Sequence, residues 1–191
     1  MASAQYHIRT QYIRASAAPG TEAPVSQSGN GFDLAAGYWF RLANRRIEFL
    51  PEVNYGKVSL PATEIDLESD LRHFGLALPV AVYPLDLEGD CKCPTFSKQN
   101  EWFKKGFFIE LVPAYQRLQA MEANGDEVTW TNQINLGGGL GLDIGASDLI
   151  TVTPLVHYFT YIYTSGSAAN GAFVLKNQFK AVIRVMLRLD Y

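Results

Sequence analysis

The chain has 191 residues, a formal net charge of −3 and 13% aromatic residues. That length suits one domain, and 16 basic against 19 acidic residues form no basic surface that would point to nucleic acid. No run of eighteen apolar residues occurs, which excludes a transmembrane helix but not a strand-built membrane protein, whose inward residues are polar.

Met1-Ala2-Ser3-Ala4-Gln5 has a small-x-small pattern and reads as the stub of an export signal over residues 1–5, leaving residues 6–191 as a single domain in an oxidising compartment. Eight segments follow, each alternating apolar with polar residues as a half-buried strand does. In Tyr6–Arg14, Tyr6, Ile8 and Tyr12 oppose His7, Arg9 and Gln11. In Gly31–Leu42, Phe32, Leu34, Tyr38 and Phe40 oppose Asp33, Gly37, Trp39 and Arg41. In Arg46–Val58, Ile47, Phe49, Val53 and Tyr55 oppose Glu48, Glu52 and Asn54. In Arg72–Tyr83, Phe74, Leu76 and Val80 oppose His73, Gly75 and Ala81. In Gly106–Leu118, Phe107, Ile109, Leu111 and Tyr115 oppose Glu110 and Gln116. Val128–Gly145 sets Trp130, Ile134, Leu136 and Leu140 against Asn135, Gly137, Gly139 and Asp143, and Leu149–Tyr163 sets Ile150, Val156 and Tyr158 against Thr151, Thr153 and His157. The last segment, Phe179–Tyr191, alternates Phe179, Ile183, Val185, Leu187, Leu189 and Tyr191 with Lys180, Arg184, Arg188 and Asp190.

Each segment reaches the roughly 9–11 residues of a tilted membrane strand. The connectors 43–45 and 146–148 are short, whereas 15–30, 61–70, 119–127 and 164–175 are longer and polar, matching an outer-membrane barrel with short turns on one side and longer loops on the other. Residues 84–105 break this rule, being long on the short-turn side and holding Cys91 and Cys93, whose redox state is left open. Alternating the strand direction gathers Tyr6, Phe40, Phe49, Phe107 and Tyr191 at one rim. Phe32, Tyr55, Phe74, Tyr115, Trp130, Tyr158 and Phe179 collect at the other, as two aromatic girdles would. Pro51, Pro79, Pro113 and Pro154 fall inside strands, where bulges are expected at some of them at least. The fold class is therefore all-β, an eight-stranded antiparallel up-and-down transmembrane β-barrel.

Leu50-Pro51-Glu52-Val53-Asn54-Tyr55, Leu78-Pro79-Val80-Ala81-Val82-Tyr83 and the glycine-rich Leu136–Gly145 resemble strand motifs of the porin-family outer membrane protein beta-barrel domain group. The resemblance implies an OmpA/OmpX-type barrel in the bacterial outer membrane and carries no catalytic residue across. The final strand, with Phe179, Ile183, Val185, Leu187, Leu189 and Tyr191 at alternate positions, resembles the signal read by the barrel-assembly machinery.

The inward face sets Asp33, Glu48, Glu52, Glu110 and Asp143 against Arg9, Arg41, Lys180, Arg184 and Arg188. An eight-stranded barrel is filled by its own side chains, and buried charges pair because an isolated one is costly, so a salt-bridged, plugged lumen is expected. Histidines 7, 73 and 157 read as members of that polar interior. Gly137-Gly138-Gly139 lacks the lysine and helix of a phosphate loop and reads as space for a large inward neighbour, Trp39 being one candidate. The acidic runs Glu64, Asp66, Glu68 and Asp70, and Glu122, Asp126 and Glu127, read as solvated loops. The expected role is non-enzymatic, without cofactor or metal: structural, adhesive or accessory, in contact with outer-membrane lipid and lipopolysaccharide, with the 84–105 connector open to an envelope protein partner. The alternatives are a lipid-modifying barrel enzyme, which requires a catalytic cluster at the lipid boundary, and a soluble lipocalin-like barrel, which requires an apolar inside and a polar outside.

Overall fold

Long stretches of period-two alternation bury one face and leave every backbone amide and carbonyl to be paired sideways, which a ring of hydrogen-bonded strands achieves without a free edge. The computed structural model forms that ring; it describes residues 5–19, 27–42, 45–61, 69–87, 102–121, 128–147, 149–166 and 173–188. Its elements are β1 (Gln5–Pro19), β2 (Gln27–Arg41), β3 (Ile47–Phe49), β4 (Glu52–Leu60), β5 (Ser69–Ala77), β6 (Val80–Val82), α1 (Trp102–Gly106), β7 (Phe107–Met121), β8 (Val128–Leu142), β9 (Ile144–Gly145), β10 (Ile150–Gly166) and β11 (Phe173–Arg188). β3 continues into β4, β5 into β6 and β8 into β9, so eleven strands make eight crossings. Each crossing pairs antiparallel with its neighbours, and β1 closes the ring on β11 from Gln5↔Arg188 to Pro19↔Phe173.

The faces divide as the alternation requires. Phe32 is 69% and Ile183 46% exposed, whereas Arg9, Asp33, Glu110 and Arg184 are at 2% or less. Large apolar residues line the outside and charges the inside, which overturns the soluble lipocalin-like alternative. Aromatic rings adjoin one another around both rims: Tyr6 with Tyr38 at 6.1 Å and Phe40 with Phe49 at 5.2 Å on the turn side, Tyr12 with Phe32 at 5.9 Å toward the loops.

Two expectations need correction. None of the four prolines sits at a bulge. Gly37↔Glu52 and Phe40↔Phe49 share one register across Pro51, Ala77↔Ala114 and Val80↔Leu111 share one across Pro79 and Pro113, and Pro154 pairs with Ile183 in an unbroken ladder. The register shifts lie at Ser16/Ala17 and Tyr161/Tyr163 instead. Three prolines form a staircase over neighbouring strands, in which Tyr38 donates to the Pro51 carbonyl (3.0 Å), Leu50 to that of Pro79 (2.9 Å) and Leu78 to that of Pro113 (3.0 Å). Each proline keeps its acceptor and forfeits only the reciprocal donor, so the register needs no extra residue.

The strands also run further than expected at the loop end, β1 to Pro19 and β10 to Gly166. Small residues such as Ala15 and Ala17, read as loop, keep the alternation and stay buried. The 84–105 connector begins with a turn pinned to the β2–β3 end. Arg46 pairs with Asp86, its amide donates to the Leu87 carbonyl (3.0 Å) and its guanidinium lies 4.0 Å from the Tyr83 ring centroid. The connector ends in α1, which the sequence reading did not anticipate. Cys91, Cys93, residues 1–4 and the acidic positions 64, 66, 68, 122, 126 and 127 lie outside the described residues.

Candidate functional site

The barrel interior is stacked in three layers. Toward the loops, Ile13, Val58, Leu60, Leu71, Leu118 and Leu175 form a buried apolar cluster with Ala15, Ala17 and Ala120. Toward the turns, Leu50, Ala81, Tyr83, Phe108, Leu155, Val182 and Met186 form another, with Trp39 packed against it. Between them lies the charged layer.

That middle layer repeats one arrangement three times: a histidine, an acid and a cation. Glu52 takes His7 Nε2 at 3.2 Å and pairs with Arg9. Asp33 takes His73 Nε2 at 3.2 Å and Lys180 Nζ at 3.1 Å. Glu110 takes His157 Nε2 at 2.6 Å and Arg184 Nη1 at 2.6 Å. The guanidinium of Arg9 also reaches Glu110 at 3.6 Å, which links two of the sets. Each histidine leaves Nδ1 without a protein hydrogen-bond partner, so the neutral ring carrying its proton on Nε2 satisfies the acid with no orphaned N–H. Three acids against three cations then leave the layer neutral. Amides surround it: Asn54 donates to Asp33 (3.3 Å), Asn135 to Gln116 (2.7 Å) and Gln133 to Asn135 (2.6 Å).

Each histidine faces a glycine directly across the ladder: His7↔Gly37, His73↔Gly56 and His157↔Gly139. A Cβ on these glycines would lie 2.7 Å from His7 Cε1, 2.5 Å from His73 Cε1 and 2.0 Å from His157 Cδ2. The glycines at 137 and 141 clear space in the same way for Phe159 and Phe108, so these residues, not Trp39, are the large neighbours the glycine run accommodates.

The charges are also sorted by strand. Arg9, Lys180 and Arg184 all stand on the closing pair β1–β11, with Arg9 and Arg184 directly opposed. Their acids stand on β2, β4 and β7.

At the turn-side end, Glu48 accepts from Trp39 Nε1 (2.8 Å), and Asp143 from the Thr153 hydroxyl (2.6 Å). The Tyr83 hydroxyl lies 2.9 Å from Glu48 and 2.6 Å from Asp143, so its single hydrogen serves one of them at a time. Arg184 Nη2 reaches Asp143 at 3.8 Å.

Arg41 does not join the interior, although its parity is inward. It is the last residue of β2, where the lumen opens to water; its side chain is exposed, and Nε donates to the Arg45 carbonyl at 3.4 Å. Arg46, passed over in the sequence reading, is the buried cation at that end. The Arg188 side chain, Leu189 and Tyr191 fall outside the described residues; of the assembly-signal positions, Phe179, Ile183 and Leu187 face outward and Val185 is half-buried.

A closed barrel with an apolar exterior, aromatic rims and a polar interior satisfies its backbone in hydrocarbon and has the polarity of barrels of the bacterial outer membrane. The chain is a small outer-membrane β-barrel. Among solved structures it is similar to neisserial surface protein A, at 12% identity and a TM-score of 0.55 over 96% of this chain and 97% of that one. It is also similar to Ail, the attachment invasion locus protein of Yersinia pestis, at 8% identity and a TM-score of 0.48 over 98% and 99% of the two chains. The β-domain of the Bordetella autotransporter BrkA gives 13% and 0.43 over 97% and 70%. No protein-family model and no curated protein matches the chain, so the porin-family likeness rests on the motifs at 50–55, 78–83 and 136–145.

Proposed function

We propose that the protein is a non-enzymatic outer-membrane barrel with a plugged lumen, serving a structural, adhesive or accessory role through the connectors it presents outside. Lipid and lipopolysaccharide surround it, the barrel-assembly machinery inserts it, and residues 84–105 offer a site for an envelope partner. The observation that carries this reading is the stacking of the lumen: three acids and three cations, mutually paired and buried, between two buried apolar clusters. An ion crossing such a lumen would have to break buried pairs and lose its hydration among buried apolar side chains, both costly steps. His157, the histidine an enzyme reading would choose, commits Nε2 to Glu110 and is fully buried in the lumen, away from the lipid boundary.

Planar-bilayer recording tests the plug. The reconstituted protein is expected to give no steady conductance, and large, stable, porin-like steps would overturn the reading.

A further inference from the structure

On four strands an outward aromatic is followed, two residues nearer the loops, by an outward cation: Tyr12 and Arg14 on β1, Tyr55 and Lys57 on β4, Phe74 and Arg72 on β5, Tyr115 and Arg117 on β7. All eight side chains are exposed. A two-residue step is about 7 Å along a strand, which lifts each cation from the aromatic rim to the level of lipid headgroups. Among the described residues, no outward strand position at the turn-side rim carries a cation.

Three of these cations lie on neighbouring strands. Lys57 and Arg72 are direct cross-strand partners, and Arg72 pairs with Gln119, two residues from Arg117. Direct partners hold their Cβ atoms about 5 Å apart and diagonal ones about 7 Å, so three long side chains converge on one spot. Like charges placed directly opposite each other are destabilising. Asp70, at 2.7 Å from Lys57 Nζ, is the one acid on the outward face at this end among the described residues, and it leaves two cations in excess. The guanidinium of Arg117 lies 4.5 Å from the Trp130 ring centroid, which fixes its height at the rim.

We propose that Lys57, Arg72 and Arg117 form a binding site for the phosphate-bearing headgroup of an outer-leaflet lipid, with Arg14 extending the same band around the barrel. The apolar wall below the cations takes the lipid's chains, and an anion between the cations relieves their mutual repulsion. The site rests on the membrane location and not on the plugged lumen, so its failure and that of the plug are read in separate experiments.

Trp130 is the probe. The full chain is reconstituted in vesicles containing brominated phosphatidylglycerol or brominated phosphatidylcholine, and Trp130→Phe supplies the background from Trp39 and Trp102. Brominated phosphatidylglycerol is expected to quench Trp130 more strongly, the preference falling roughly fivefold for each cation removed and weakening with salt. The triple variant Lys57→Gln, Arg72→Gln, Arg117→Gln is expected to lose the preference, while Arg72→Lys with Arg117→Lys keeps it; heat-modifiable migration checks that each is folded. Equal quenching by the two lipids in the unsubstituted chain, or a preference surviving in the folded triple variant, would overturn the site. Loss of the preference on adding inorganic phosphate, beyond the effect of chloride at equal ionic strength, would identify a free-anion site and overturn the lipid assignment.

Discussion

Two adjacent glycines on β8 show how much one methyl group weighs in this lumen. A Cβ at Gly139 would sit 2.0 Å from His157 Cδ2, whereas one at Gly138, on the outward face, would meet nothing within 4 Å. Gly139→Ala is expected to cost about 1–3 kcal/mol, as overpacking does, and Gly138→Ala to change stability by no more than about 0.5 kcal/mol. Urea unfolding of both in lipid vesicles makes the comparison, and equal costs would mean that His157 does not need the space. Which residues face inward was legible residue by residue from parity alone, because one slip would move every side chain to the other face. Arg41 shows the limit of parity: it gives a direction, not a depth, and the last residue of β2 points into water at the rim. The histidine–glycine pairing was invisible for a different reason. His157 and Gly139 are eighteen positions apart, and only the strand register brings them together.

The proline staircase belongs to the element scale. Pro51, Pro79 and Pro113 each accept from a neighbouring strand and cannot donate back, so the sheet keeps its register while losing one hydrogen bond at each step. Pro79→Ala restores a donor opposite Leu50. Its new amide is expected to exchange slowly with deuterium, with no change in the protection of Leu50 or Leu78. Fast exchange at residue 79, or altered protection of its neighbours, would show that the proline sets the local geometry. Bulges are expected at some at least of the strand prolines because a lost ladder bond is usually accompanied by one. The real register shifts fall near the loop ends, between residues with no conformational signature, Ser16/Ala17 and Tyr161/Tyr163. Strand existence and direction were legible from alternation. Strand length was not, because alanines pair as well as aromatics do while carrying little hydrophobic pattern. The one-turn helix α1 left no periodicity to read.

At the scale of the whole molecule, the inside and outside can be set against each other on a single strand. Arg184 is fully buried against Glu110, while Ile183 points outward. Arg184→Met takes from Glu110 its closest cation, leaving His157 and the more distant Arg9, and is expected to cost about 3 kcal/mol; Ile183→Arg puts a charge into lipid at about 2–4 kcal/mol near the midplane. Reversible unfolding in bilayers of two thicknesses separates them. The second penalty should change with thickness and the first should not, and the opposite pattern would reverse the assigned faces. The sorting of charge between strands also bears on how the barrel is completed. Lys180 and Arg184 arrive on the last strand, so a chain folded through β10 holds Asp33, Glu52 and Glu110 around Arg9 alone. Ring closure is then the act that balances the charge of the middle layer, and until it happens that layer is an anion awaiting its own C-terminal strand. Added salt should stabilise the unfinished state and so slow the final closure; a closing step indifferent to ionic strength would mean that hydrogen bonding along the seam, and not charge, brings the ends together.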